Sequence, residues 1–481
     1  MNSNENAFAL ANSGEMEQST DAILDNRNVS THQALIAELG FDPASPESAY
    51  FLEGDVAQYR DVSGRCLLRR LMPHANWSAA RLKNSVEPYS KQTIGKIKNR
   101  SEAFDRAGRT YNGPNFASQD YLSLASHSLI KTAAIKAVVD CGVHSAGSAA
   151  LMGLTLQTRQ LEQRIADWLG FQDATIFPTG WGAGYGIIKA LVRPTDHVLI
   201  DMLSHACLME GARAATANVH SFPHLSSSGL EKKLSRIRAE NPDSGILVVT
   251  ESLFSMDSDT PNLREAAAIA HQYHATIVVD CAHDLGSLGA DGKGHLSQQS
   301  AMQDVDIVMG SFSKTFASNG GFVACNHEGM KVALRYSCGP LTFTNAISPV
   351  QAAVVLEALN IVQSPEGAER RSRLMHNILK LRNKLTDMDF EVFGAPSSIV
   401  PVILGDSRIS RLICRFTLEG GALVNLVEYP AVSRNTCRFR LQVMADHTDQ
   451  DIDEFCEILF AARAKAKRAL KIEQADVVNH V

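Results

Sequence analysis

The stretch GILVVTESLFSMDSDTPNLREAAAIAHQYHATIVVDCAHD, residues 245–284, decides the fold. It opens with an apolar β-branched run (245–250), passes through a helical segment and closes on a second such run (275–280). Neither run alternates apolar with polar residues, which suits strands buried on both faces. Between them Leu263, Ala266, Ala267, Ala270 and Tyr273 form one stripe at helical spacing. Strand, helix, strand is the rhythm of a mainly parallel sheet covered by helices. HQYH (271–274) has a metal-like look, but it ends the helix without a third ligand nearby and reads as surface.

The pattern extends in both directions. DATIF (173–177), HVLI (197–200) and VDIVMG (305–310) are further strand candidates. Near the C-terminus Thr448 is a predicted N-cap, with Asp451 three residues later, for a helix through residues 449–470. Its first turn is acidic and its end basic, as the helix dipole prefers, and Ile452, Phe455 and Leu459 would face a core. These elements predict an α/β fold: a large sheet domain over residues 113–335 and a smaller C-terminal α/β domain over 336–481. Residues 1–45 are polar and predict a mostly disordered tail ending in a short helix near THQALIAELG (31–40). Residues 46–112 read as an extension and the start of the small domain, with a weak helical pattern after Pro88 in SVEPYSKQTIGKIKNRSEAF (85–104).

Composition narrows the class. The 481 residues are 45% apolar and 20% charged, with a net charge of −6 spread without long runs. That balance argues against a nucleic-acid binder or a polybasic membrane-surface protein. No apolar stretch approaches the roughly 18 residues of a membrane span, and the N-terminus reads as neither signal peptide nor anchor. The nine cysteines are scattered and never spaced C-x-x-C. A disulfide framework or Cys-rich zinc site is therefore not expected, nor any other metal, and the cytoplasm is the expected setting.

Ligands of open parallel sheets gather at the carboxyl ends of the strands. After DATIF runs Pro178-Thr179-Gly180-Trp181-Gly182-Ala183-Gly184-Tyr185-Gly186, a small-residue turn opening a helix. Its backbone N–H groups can seat a phosphate, or its glycines can serve only close packing. It matches neither the dinucleotide-binding glycine pattern nor a Walker A. The other strands end at Asp201 to His205, at Glu251 to Asp257, at Asp280 to Asp284 with His283 between, and at Ser311 to Lys314. A phosphate seat, a buried carboxylate and a lysine are what pyridoxal 5′-phosphate (PLP) requires: the lysine takes the aldehyde, and the carboxylate keeps the pyridine nitrogen protonated.

From about Asn115 to Leu459 the sequence resembles the α-oxoamine synthases, PLP-dependent enzymes of the aminotransferase class I/II fold. The matching stretches are NFASQDYLSLA (115–125), FPTGWGAGYG (177–186), SHACLMEGAR (204–213), TESLFSMDSD (250–259), DCAHDLGSLGADGKG (280–294), GSFSKTFASNGGFVA (310–324) and RFRLQVMADHT (438–448). The resemblance implies a PLP-binding large domain and an acyltransferase. Its reaction would be the decarboxylative Claisen-type condensation of glycine, alanine or serine with an acyl thioester, on coenzyme A or a carrier protein. The product would be an α-aminoketone for lipid or secondary-metabolite synthesis. Lys314 would be the Schiff-base lysine and move the substrate α-proton; Asp280 would pair with the pyridine nitrogen; His283 would bond the ring phenolic oxygen; and His205 would stack on the ring. Thr179, Gly180 and Trp181 would seat PLP, joined by Ser255 and, at the phosphate, Ser311. Arg440 would hold the amino-acid carboxylate, with Arg438 the second choice, and Gln119, Tyr121 and Ser148 would also face substrate.

Three departures stand out. Ala149 occupies the place of an expected arginine in GVHSAGSA (142–149), Gln119 that of an asparagine, and Asn345 that of a second hydroxyl beside Thr344. The segment LTFTNAISP (341–349) resembles the one through which Thr344 would reach the neighbouring subunit's PLP, implying a homodimer with shared active sites. Competing readings are an aminotransferase or C–C lyase of the same fold, and a non-catalytic partner subunit; such partners lack the lysine that Lys314 supplies here.

Overall fold

A computed structural model describes residues 33–60 and 62–471. Most of the expected disordered tail lies outside them; within them a helix over 33–39 matches the expected short one. The N-terminal part holds a three-stranded antiparallel sheet of β1 (Gln92–Ile94), β2 (Arg100–Phe104) and β3 (Thr110–Pro114). The helix expected after Pro88 is therefore corrected to two strands joined by a turn. Gly95 turns the chain at φ +75°, and β2 alternates buried Ser101 and Ala103 with more exposed residues. A strand with only two buried positions leaves too little apolar periodicity to be read.

The central sheet has seven strands, β4 (Asp173–Phe177), β5 (His197–Asp201), β6 (Val219–Phe222), β7 (Ile246–Glu251), β8 (Thr276–Asp280), β9 (Ile307–Ser311) and β10 (Gly321–Cys325). Their order is β4-β10-β9-β8-β7-β5-β6, and only β10 runs against its neighbours. β5, β7 and β9 are buried along their whole length, as sheets covered on both faces require. Pairing in register sets Glu251 beside Asp280 and puts Asp201 and Ser311 at the same, carboxyl, edge. The expected helix between β7 and β8 spans Leu263–Gln272 and buries Leu263, Ala266, Ala267 and Ala270.

The C-terminal sheet, β11 (Ile399–Gly405), β12 (Leu426–Val427) and β13 (Cys437–Gln442), is antiparallel in the order β11-β13-β12. Helix Asp449–Ala469 starts at the expected capping box, Thr448 with Asp451, and buries Ile452, Phe455 and Leu459. The two ends of the chain meet by backbone pairing: Phe116 N–H donates to the Leu423 carbonyl at 2.9 Å, and Gln442 N–H to that of Phe116 at 2.8 Å.

Among the described residues, the segment between 38 and 84 is fastened to helix Ser407–Glu419 by its arginines. Arg411, fully buried, donates to the carbonyls of Phe51 (3.1 Å) and Gly54 (2.8 Å) and to Glu428 (2.5 Å), while Arg415 reaches those of Leu39 and Asn84. Arg81 donates to the other Glu428 oxygen at 2.8 Å and lies 4.3 Å over the Trp77 ring. Removing one member of such a buried network leaves a charge without its partner. Arg411→Ala is expected to lose about 3–5 kcal/mol in denaturant titration and to expose the 38–84 segment to protease first. Unchanged stability and cleavage would mean the extension is held some other way.

No helix among the described residues is long and apolar enough to cross a membrane. All nine cysteines are free thiols.

Candidate active site

The carboxyl edge of the central sheet opens into a cavity of about 160 Å³. Each wall comes from a strand end: Gly180 and Trp181 after β4, His205 and Cys207 after β5, Glu251 on β7, Asp280 and His283 at and after β8, and Ser311, Ser313 and Lys314 at and after β9. Five separate strand ends thus converge, as the topology of an open sheet directs.

Thr179 caps helix Gly180–Leu191, its side chain accepting from Gly182 N–H at 2.9 Å. The N–H groups of Gly180 and Trp181 have no intrahelical acceptor and face the open end of the dipole. Opposite them Ser311 and Ser313 place their hydroxyls 2.6 Å apart. A Cβ on Gly180 would run into the Ser311 side chain, so glycine is what keeps this cradle open. Helix N–H groups, two hydroxyls and a nearby ammonium form the donor set of a phosphate seat.

Asp280 and Glu251 are buried side by side. Asp280 accepts from Ala282 N–H at 2.9 Å; burial raises its pKa, while the charges of His205 and Lys314 pull it back. Glu251 is pushed well above the carboxylate range by burial and then by the Asp280 charge. Its Oε1 accepts the His205 backbone N–H at 2.5 Å. Burial lowers the pKa of Lys314, as does Arg440, against the opposing pull of Asp280 and Glu251. A desolvated lysine holds more of the free amine that attacks a carbonyl.

Both histidines are kept neutral, with one face defined. His205 Nδ1 accepts Cys207 N–H at 3.2 Å and lies 3.0 Å from the Cys207 thiol, leaving the proton on Nε2; burial lowers its pKa. The Trp181 ring meets it edge-on at 5.9 Å. His283 is pushed well below its ordinary pKa, first by burial and then by Lys314 and Arg440. Its Nδ1 lies 3.0 Å from the Tyr121 hydroxyl, whose own pKa burial raises to about 12, so the hydroxyl donates. The Arg440 charge lies near enough to Tyr121 to oppose that rise.

The two candidate arginines on β13 differ in their partners. Arg438 donates to the Met256 carbonyl at 3.1 Å and pairs with Asp257 on the turn after β7. Arg440 is half-buried, keeps an Nε without a partner, and has its pKa lowered by partial loss of its water. Gln119 lines a second cleft of about 600 Å³ that shares Ser313 and Lys314 with the first. Ser255 sits in the turn after β7, outside the cavity. Ser148, in the 142–153 loop, also lies outside the cavity; its buried hydroxyl has no partner, and Ala149 lies in an apolar cluster with Phe177 and Ala183. Thr344 is exposed and donates to the Pro340 carbonyl at 2.6 Å. Ser145 and Ala346 stitch the segment carrying it to the 142–153 loop through Ser145 Oγ to Ala346 O (2.7 Å) and Ala346 N–H to Gly147 O (2.8 Å). Glu251, Cys207 and Ser313 carry no role in the sequence reading; only Glu251, a carboxyl at a strand end, offered a signal.

Behind the cavity His224 bridges Asp201 (Nδ1, 2.8 Å) and Asp259 (Nε2, 3.1 Å). His224, Asp257 and Asp259 stand close enough to hold a metal, but both His224 nitrogens already face carboxylates. Burial lowers its pKa, but the bonds from Asp201 and Asp259 outweigh it and raise the pKa to about 10. A folded pKa above the unfolded 6.5 gives stability fully present below about 6.5 and lost as pH rises through about 10. The melting-temperature gap between wild type and His224→Gln should therefore narrow from pH 6 to pH 10. A constant gap would contradict the bridged imidazolium.

The family model described as aminotransferase class I and II matches residues 112–459. The chain belongs to the aminotransferase class I and II family. It is 34% identical over 349 residues to the 8-amino-7-oxononanoate synthase of Enterobacter sp. (strain 638), covering 72% of this chain and 89% of that protein. The enzyme of the same name from Geobacter sulfurreducens is 34% identical over 337 residues, 70% of this chain and 85% of its own. Among solved structures, Sphingomonas wittichii serine palmitoyltransferase superposes with a TM-score of 0.77 at 27% identity, over 84% of this chain and 99% of that one. A serine palmitoyltransferase from S. paucimobilis with a bound PLP–myriocin aldimine gives 0.78 at 28%, over 85% and 100%. These relatives are α-oxoamine synthases, and the chain is a PLP-dependent acyltransferase of that kind, condensing an amino acid with an acyl thioester with loss of carbon dioxide. The residues present suit PLP: a cradle that a Cβ would fill, an anion-binding donor set, a buried carboxylate and a lysine of lowered pKa.

Proposed function

We propose that the cavity at the carboxyl edge of β4 to β9 is the condensing centre and that its side chains divide the work as follows. The observation that carries this reading is Lys314 sharing one cavity with the buried Asp280–Glu251 pair and the Gly180–Ser311 cradle. Gly180, Trp181, Ser311 and Ser313 would hold the PLP phosphate, Asp280 would face the ring nitrogen, His205 would stack on the ring, and His283 would donate its Nε2–H to the ring phenolic oxygen. Bound there, PLP withdraws electron density from the substrate α-carbon. Lys314 anchors the cofactor, then takes and returns the α-proton, a task its lowered pKa favours. Asp280 itself is buried, so its charge acts at low dielectric.

Arg440 binds the amino-acid carboxylate. Its Nε is unpartnered, whereas Arg438 is committed to Asp257. Arg440→Ala is expected to raise the amino-acid KM about 30-fold or more, as loss of a buried charge partner does, with a far smaller effect on the acyl-thioester KM. Equal rises in both would place Arg440 outside carboxylate recognition.

The working unit is a homodimer. Leu151 (85% exposed), Met152 (94%) and Phe343 (87%) crowd the two stitched loops that carry Ser148 and Thr344. Large apolar side chains this bare call for a covering surface. A second copy both covers them and receives Thr344 at its own cofactor site. Nine free thiols suit a reducing cytoplasm. Sedimentation analysis of the wild type and of Met152→Asp tests the dimer: the variant should fall to monomers and lose activity.

A further inference from the structure

Lys314 lies between two spaces, the cofactor cavity and the larger cleft of about 600 Å³. One wall of that cleft is apolar, built by Ile97, Ala317 and by Val350 and Val354. The two valines stand four residues apart on helix Pro349–Gln363 and so share one face. The other wall is polar and uncharged, with Gln119, Asn319 and Gln351. Lys314 is the only cation lining the cleft, and Asp120 the only acid. Asp120 spends its carboxylate on the N–H groups of Leu124 (2.8 Å) and Ala125 (3.1 and 3.2 Å) and offers nothing basic to a ligand.

We propose that this cleft seats the acyl chain of the thioester and selects chains with an uncharged hydrocarbon end over chains ending in a carboxylate. The inference rests on the condensing-centre reading, because Lys314 is what joins the two spaces. A terminal carboxylate entering here would give up its water and meet no cation but Lys314, which the condensing-centre reading commits to the cofactor. Each methylene laid on the valine wall adds about fourfold in affinity. Val350 and Val354 then set which lengths fit, and Gln351 sets the charge that is tolerated.

The test uses the PLP-loaded enzyme with glycine, alanine and serine in turn. Donors are butyryl-, octanoyl-, lauroyl- and palmitoyl-CoA, their ω-carboxy counterparts, and the same acyl groups on pantetheine, the arm that coenzyme A and carrier proteins share. Free thiol and carbon dioxide are scored together, and binding of unreactive S-alkyl-CoA thioethers is measured by calorimetry. Carboxylated chains are expected to be poorer by about tenfold or more in kcat/KM, and thioether affinity should rank the same way. Val350→Phe should cost palmitoyl about ten times more than butyryl, and Gln351→Lys should shift preference toward the carboxylated chains. A wild-type preference for carboxylated chains, or a Val350→Phe loss equal for all lengths, overturns the inference while leaving the condensing centre intact. Absence of thiol and carbon dioxide with every donor overturns the condensing reading; even then, thioether binding that Val350→Phe does not weaken would overturn the cleft assignment.

Discussion

Lys314→Ala is expected to lower turnover by about a thousandfold or more and to abolish the visible absorption of lysine-bound PLP. Lys314 is the only lysine in the cavity, so no neighbour can replace it. Two effects combine in that loss: the anchoring amine and the α-proton carrier disappear together. Lys314→Arg separates charge from chemistry, since a guanidinium keeps the cation facing Asp280 but does not serve as a free amine. It should be as inactive as the alanine variant while binding PLP more tightly than that variant. An unchanged absorption band in Lys314→Ala would mean that another amine holds the cofactor.

Asp280→Asn should cost about a hundredfold to a thousandfold in kcat, the scale of removing one preorganised electrostatic partner from a dry site. The neighbouring Glu251 makes a sharp comparison. Burial and the Asp280 charge push its pKa well up, so a neutral glutamine there is the milder change. The loss in Glu251→Gln should therefore be much smaller than in Asp280→Asn, and should come through the His205 backbone N–H that Glu251 accepts. Equal losses would show that the pair shares its charge rather than dividing it. Asp280→Glu tests placement: it retains the charge but extends the carboxylate into a full cavity, so only partial recovery is expected.

Five of the seven central strands were legible because each is a short run buried on both faces: β4, β5, β7, β8 and β9. β6 was not, since VHSF carries only Phe222 fully inside. β10 was hidden within a glycine-rich motif, and its antiparallel direction between β4 and β9 is a property of pairing rather than of local pattern. The N-terminal sheet escaped for the same reason as β6: its strands bury alternate small residues, and Gly95 breaks the run.

At the site, the residues with distinctive chemistry at strand ends, Lys314, Asp280, His205 and His283, could be picked out and converge on one cavity. Residues whose roles depend on long-range partners could not be ranked. Whether Arg438 or Arg440 is free depends on Asp257, 181 residues away from Arg438. The raised pKa of Glu251 depends on the strand register that sets it beside Asp280. The Cys207 contact that fixes the His205 tautomer appears only once the turn after β5 is folded. Ser148 and Thr344 lie together outside the cavity of their own chain, so the parts proposed for them require the proposed second copy.

The most direct measurement is the stoichiometry of products from the PLP-loaded enzyme given an amino acid and an acyl thioester. Free thiol and carbon dioxide, recorded in the same reaction, should appear in equal amounts for every turnover. Thiol released without carbon dioxide, in wild type but not in Lys314→Ala, would contradict decarboxylative condensation and leave a simpler acyl transfer in its place.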